Sequence, residues 1–241
     1  MSEGRRRELE AALAADGQAE QDGSRVRSIC QLCVSELAVS GAGATVLAHS
    51  GNGHGTRRGL VHATNDTSAA LEDLQLTVGE GPCLDAFTSG GPVLVEDLAA
   101  TTERWPAFTA EARKLGAAAV FSFPLQVGVI RLGSLDCYRE QPEPFSDATV
   151  TDALILADLA TQAIMAELDG HATDDLDWLA DPHAEIHQAS GMVQVQLGIT
   201  TEDALLRLRA HAYSYELSLA EVSRRVVARE LRFRADPDPL S

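Results

Sequence analysis

In the segment SRVRSICQLCVSELAV, Val26, Ile29, Cys30, Cys33 and Leu37 recur at the spacing of one helix face. The pattern predicts an amphipathic helix, which SGAG ends. Two short apolar runs follow, ATVLAHS and RGLVHAT, joined by GNGHGTR, and they read as a hairpin-like pair of strands. SAALEDLQLTVGEGPCLDAFTSG reads as short helical pieces interrupted at Gly79–Pro82. PVLVEDL is a compact apolar strand, and TERWPAFTAEARKLG a helix closed by Gly116. AAVFSFPLQVG and VIRLGSLDCYRE are two adjacent apolar strands with Gly128 at their junction. SDATVTDALILADLATQAIMAEL completes this part as a long helix with a broad apolar stripe through Val150, Ala153, Ala157, Ala160 and Ile164. The order predicts an α+β domain, a central antiparallel sheet flanked by helices.

A different pattern follows the polar, acid-rich segment DGHATDDLDWLADP. Asp181-Pro182 supplies a cap and a first-turn proline for a helix over 182–197, which Gly198 stops. A second helix starts at Thr200, with Asp203 three residues on. A third starts at Ser218, where Glu221 completes a capping box, and is expected to run to about Phe233. Three short helices in some fifty residues form a small bundle. The expected divisions are an N-terminal extension over 1–23, the α+β domain over 24–168, a linker over 169–181, the bundle over 182–235 and a tail over 236–241.

Charge sharpens this division. The net charge is −17. Residues 8–182 hold 27 acids against 9 bases, whereas residues 183–235 hold 6 acids and 7 bases, all of them arginine. Taken whole, the acidity argues against nucleic acid, because phosphate affinity comes mostly from Lys and Arg; the arginine-bearing bundle is the exception. The basic start is followed by an acidic, polar run, and nowhere do ~18 apolar residues run together. Neither export nor membrane spanning is expected, and the cytoplasm is the default.

The candidate chemistry begins at VGEGPCLDAF. A nucleophile elbow needs its Ser or Cys between glycines, but Pro82 precedes Cys83 and no glycine stands two residues after it. Glu80 and Asp85 carry the wrong sign to activate a thiol. Cys83 is therefore expected to pack a shaped corner. Cys30 and Cys33 lie mid-helix on the apolar stripe, away from the helix N-terminus that a redox pair would use. Cys83 and Cys137 form no second paired motif, so no zinc site is expected. His49, His54 and His62 lie in or beside the first hairpin, and His183 and His187 lack the glutamate of a zincin helix. In the third helix Arg225, Arg229 and Arg232 are expected on one face, with Arg224 beside them.

The tail IHQASGMVQVQLGITTEDALLRLRAHAYSYELSLAEVSRRVV resembles the ANTAR domain, a three-helix RNA-binding module of bacterial transcription antiterminators. The resemblance rests on Gln188-Ala189 and Gly191, on Gly198, on Ala204, Leu208-Arg209 and Ala212, and on Leu219, Val222 and Val226-Val227. Ser190 stands where family members usually have lysine, and Tyr215 where a small polar or amide residue is common. GEGPCLDA and LGSLDCY in turn resemble the GAF domain, a small-molecule-sensing α+β fold, as found in actinobacterial GAF–ANTAR proteins. The expected architecture is thus a GAF domain followed by an all-α ANTAR bundle.

The resemblance implies an RNA-binding antitermination regulator without enzymatic activity. Two bundles of a homodimer would grip paired hairpins in a nascent leader transcript. The expected RNA-binding residues are Gln188, Ser190, Gly191, Arg209, Tyr215, Arg224, Arg225 and Arg229. The dimer interface is expected on helix 146–168 or on the helix around 24–38. Glu80, Cys83, Phe121, Phe123 and Cys137 are the candidate lining of a sensor pocket. The cyclic-nucleotide signature of GAF domains and a tetrapyrrole-anchoring cysteine are both absent from the sequence, so no cofactor is expected and the sensed molecule is unnamed. Two alternatives stay open: a cysteine-dependent methionine sulfoxide reductase on a GAF fold, and a helix-turn-helix DNA-binding regulator.

Overall fold

A computed structural model describes residues 2–15, 25–49, 56–169, 184–215 and 217–234. The hairpin connection with His54, the linker beyond Asp169, and the Asp181-Pro182 start signal with His183 lie outside the described residues. The elements, in order, are α1 (Ser2–Ala15), α2 (Arg25–Glu36), β1 (Gly41–His49), β2 (Thr56–Ala63), α3 (Asp66–Val78) and α4 (Pro82–Ser89). They continue with β3 (Val93–Val95), α5 (Pro106–Lys114), β4 (Ala119–Val127), β5 (Ile130–Arg139), α6 (Asp147–Asp169), α7 (Ala184–Leu197), α8 (Thr201–Ser214) and α9 (Leu219–Val227).

The strands form one antiparallel sheet in the order β2-β1-β5-β4-β3. Because successive strand side chains point to opposite faces, each strand feeds two cores. Ala42, Ala44, Val46, Phe121, Phe123, Leu125, Leu135 and Cys137 face α2 and α6, where they meet Ile29, Cys33, Leu156 and Ile164. Val120 and Tyr138 face the other way, packing with Leu71, Ala86 and Phe108 of α3, α4 and α5. The result is a sheet between two helical layers.

The segment expected as an extension carries α1. Leu9 and Leu13, one helical turn apart, enter the α2–α6 core. Arg5 pairs with Glu36 at 2.6 Å and Asp152 at 3.0 Å, and Arg6 pairs with Asp158 at 2.6 Å. By length and apolar composition alone α6 is long enough to cross a membrane. Here its Ala153, Leu156, Ala160 and Ile164 stripe is buried against the sheet and α2. That stripe, and the Val26–Leu37 stripe of α2, are buried inside the chain.

The C-terminal helical region follows its punctuation. Gly198 is left-handed at φ 66°, Thr200 caps α8 by accepting from Asp203 N, and Ser218 caps α9 by accepting from Glu221 N. One expectation fails: α9 ends at Val227 rather than near Phe233. Arg229 adopts φ 64°, and the amides of Glu230 and Leu231 both return to Arg225 O. Arg229 and Arg232 therefore do not continue the helical face of Arg225.

Candidate functional site

Two places carry unexplained polar chemistry: the interior between α3 and the sheet, and the surface of the C-terminal helices. The first is built by GEGPC. Gly79 ends α3 in a left-handed turn at φ 74°, donating its N–H to Gln75 O. Gly81 at φ 146° precedes Pro82, which opens α4. Both angles favour glycine, and they swing the chain so that Cys83 N donates to the buried Gln75 Oε1 at 2.8 Å. Cys83 is fully buried, as the sequence implied.

Of the expected pocket residues, Cys83 joins the buried polar cluster here, and Cys137 borders the void beside it although its side chain belongs to the other core. Glu80 instead caps α5, its Oε1 accepting from Ala107 N at 2.7 Å and Phe108 N at 3.1 Å. Phe121, Phe123 and Cys137 point to the opposite face by strand parity. Phe121 stacks on Phe145 at 3.7 Å, and the free thiols of Cys33 and Cys137 share a hydrogen bond beside Cys30.

What surrounds Cys83 is a polar cluster that sequence reasoning missed. Asp136 on β5 accepts from Ser134 Oγ at 2.6 Å and from Ser122 Oγ across the β4 register. Glu72 on α3 lies over the sheet, its Oε2 accepting from Thr45 Oγ1 at 2.8 Å. Desolvation first, and then the neighbouring Glu72 carboxylate, push the Asp136 carboxyl well above the usual range. The oxygens of Glu72 and Asp136 and the sulfur of Cys83 lie within 4.8 Å of one another. A void of about 10 Å³ beside them is lined by Ser68, Leu71, Glu72, Gln75, Phe108 and Asp136 among others. The signal was present in the strands: Ser122 sits between two phenylalanines, and Ser134 and Asp136 share one parity inside an apolar run.

The second place is the helical surface. Gln188, Gly191, Met192, Gln196, Arg229 and Arg232 border a hollow of about 600 Å³. A second hollow of about 480 Å³ is bordered by Arg207, His211, Tyr215, Phe233 and Arg234. His211 stacks on Tyr215 at 4.3 Å, with Phe233 edge-on to His211 at 5.4 Å. Arg224 and Arg225 are exposed and bond Glu221 at 2.7 and 2.8 Å.

Two expected surface residues lie elsewhere. Ser190 is 2% exposed and donates to Ile186 O at 2.7 Å, because it shares the inward face of α7 with Ile186, Ala189 and Val193. Arg209 turns to the end of α3, where its Nε donates to Leu76 O at 3.1 Å and its guanidinium lies against Gly79. Beside it Leu219 N donates to Thr77 Oγ1 at 3.2 Å, and Leu76 packs with Ile186, Leu208 and Val222. The end of α3 is thus shared by the acidic interior and the helical core.

Residues 24–165, which hold the sheet between its two helical layers, match the GAF domain family. The chain belongs to the GAF domain family. The GAF domain of a phosphoenolpyruvate-protein phosphotransferase from Coxiella burnetii is similar at 16% identity and TM-score 0.50, covering 70% of this chain and 95% of that one. The corresponding Acinetobacter domain gives 17% identity and TM-score 0.49, covering 70% and 96%. A free methionine-R-sulfoxide reductase from Neisseria meningitidis gives 15% identity and TM-score 0.42, covering 61% and 80%. No curated protein matches the chain.

Proposed function

We propose that this protein is a transcription antitermination regulator of the GAF–ANTAR kind, a non-enzymatic one whose C-terminal helices bind RNA hairpins under control of the GAF domain. The observation that carries the reading is the pairing of exposed arginines with a stacking platform. Arg229 and Arg232 border one hollow beside the amides of Gln188 and Gln196, and neither makes an ion pair among the described residues. The other hollow joins Arg207 and Arg234 to the stacked His211 and Tyr215. Hairpin-loop bases splay out and stack on aromatic rings and guanidinium planes, while arginines hold the flanking phosphates. Arg224 and Arg225 add charge at the rim, since exposed pairs with Glu221 are weak and can exchange a carboxylate for a phosphate.

Control by the GAF domain would run through α3. Its last turn gives Leu76 to the helical core and its backbone to Arg209, so a shift of α3 is felt directly by α8 and α9. Arg209 and Ser190 belong to this scaffold in the proposal, and RNA contact falls to Gln188, Gly191, Tyr215, Arg224, Arg225 and Arg229. Paired hairpins call for two bundles, and a homodimer remains part of the proposal, with its interface away from the buried stripes of α2 and α6. The reductase reading finds no support in the thiols: all four cysteines are buried, and desolvation pushes the Cys30 thiol up, away from the reactive thiolate.

Fluorescence anisotropy of the full chain on a labelled two-hairpin RNA tests the reading. Arg229→Ala with Arg232→Ala is expected to weaken binding and flatten its salt dependence, by about 0.7–0.9 log–log units for each phosphate no longer neutralised. Unchanged affinity and slope in that double variant would move the RNA site elsewhere.

A further inference from the structure

We propose that the interior between α3, α4 and the sheet binds one divalent first-row transition-metal ion through Glu72, Asp136 and the Cys83 thiolate. Three elements deliver the donors: Glu72 from α3, Cys83 from the start of α4 and Asp136 from β5. The donor atoms lie within 4.8 Å of one another. A tetrahedral ion with bonds of about 2.0–2.3 Å needs about 3.3–3.8 Å between donors, which rotamer-scale shifts supply. A void of about 10 Å³ beside Glu72 and Asp136, which Cys83 does not itself line, is the size of a single atom-sized guest.

A second observation points to a guest. Ser68, 4% exposed, lines the same void, and its Oγ has no hydrogen-bond partner. A buried hydroxyl without a partner is costly, and it fits a fourth ligand or the partner of an ion-bound water. The surroundings also resemble the outer sphere of a metal site. Ser122 and Ser134 each donate to Asp136, and Thr45 donates to Glu72, fixing the carboxylates as acceptors. Asp136 has no ion pair among the described residues, so a bound cation would give the buried carboxyls a partner of opposite charge.

The donor set selects the class of ion. A thiolate beside two carboxylates favours zinc, cobalt or ferrous iron over magnesium or calcium, which take oxygen ligands. Binding would release the Cys83 thiol proton to solvent. This site does not depend on the RNA reading. It differs from the expectation of no metal because its ligands meet only in the fold, without a paired sequence motif.

The test uses the full chain without an affinity tag, stripped by chelator and titrated with Co²⁺ and then with Zn²⁺. The expected result is one ion per chain with a thiolate-to-cobalt charge-transfer band in the near ultraviolet. Cys83→Ser should abolish the band, whereas Cys33→Ser should keep it. Thr45→Val, which leaves all three ligands in place, should weaken binding about 10–100-fold. No stoichiometric uptake by the folded wild type would overturn the proposal, as would a band that survives Cys83→Ser. A band lost in Cys33→Ser, or affinity unchanged in Thr45→Val, would overturn it equally.

Discussion

Leu76 belongs to the GAF helix α3 by sequence and to the core of the C-terminal helices by packing. It is 8% exposed, against Ile186, Leu208, Leu219 and Val222. Replacing it by alanine removes the apolar link between the two parts and leaves the carbonyl that Arg209 binds in place. Leu→Ala in a core costs about 2–5 kcal/mol, and a residue at the rim of its cluster falls toward the low end, near 2–3 kcal/mol. At about 1.4 kcal/mol per tenfold, the docked arrangement loses a factor of roughly 30–150 relative to the undocked one. Links that remain include the hydrogen bonds from Arg209 to Leu76 O and from Leu219 N to Thr77 Oγ1, worth about 0.5–3 kcal/mol each. Leu76→Ala should therefore loosen docking without unfolding the sheet. Hydrogen exchange followed by mass spectrometry reads this directly: amides at the end of α3 and along α8 should exchange faster, while those of β4 and β5 stay protected. Equal exchange at α8 in both proteins, or a uniform rise that includes β4 and β5, would refute the reasoning.

Ser190→Lys places an ammonium on the buried face of α7, so it should lower thermal stability by more than about 3 kcal/mol; an unchanged melting temperature with tighter RNA binding would return position 190 to the RNA surface. Cys83→Ala should cost about 1–2 kcal/mol in thermal unfolding. In the wild type Cys83 should label with thiol reagent only as fast as the domain opens, and rapid native labelling would contradict its burial. Asp136 is an acid whose folded pKa is raised, so the native state holds a proton that the unfolded state releases. In metal-free protein its contribution to stability is therefore fully present below the ordinary carboxylate range, about 4, and is lost as pH rises through its higher folded value. Asp136→Asn should remove that downward slope in chemical denaturation between pH 5 and 7, two values chosen about 1–3 units above the ordinary aspartate pKa; parallel pH profiles for both proteins would contradict the assignment.

The sequence was most legible where periodicity and punctuation agreed. Val26, Ile29, Cys30, Cys33 and Leu37 are buried on one face of α2 and beyond its end, and Gly79, Gly128 and Gly198 mark their turns with positive φ. It was least legible where the decisive fact was a partner distant in sequence. Nothing local to Leu9 and Leu13 says that α6 will cover them. Glu80 could not be read as a cap for α5 without the path that brings residue 107 beside it. The sensor-pocket expectation fails for a different reason: Phe121, Phe123 and Cys137 have side chains suited to a pocket, but strand parity sends them to the other face. The same parity, applied to Ser122, Ser134 and Asp136, would have found the acidic interior. The third helix failed at its end because Ala228 is a good helix former, whereas the double return of Glu230 and Leu231 to Arg225 O closes it at Val227.

Whether the full chain binds RNA through its C-terminal helices is the central question. The direct measurement is a salt-dependent titration of the untagged chain against one RNA carrying two hairpins, the same RNA with its loops replaced by paired bases, and the DNA version. Loop recognition by a stacking platform beside arginines predicts that the two-hairpin RNA binds most tightly, with a linear fall of log affinity against log salt. It also predicts that Tyr215→Ala weakens that RNA selectively, by about 1–3 kcal/mol for each base that no longer stacks. Equal binding to all three nucleic acids, or no binding at low salt, would contradict it.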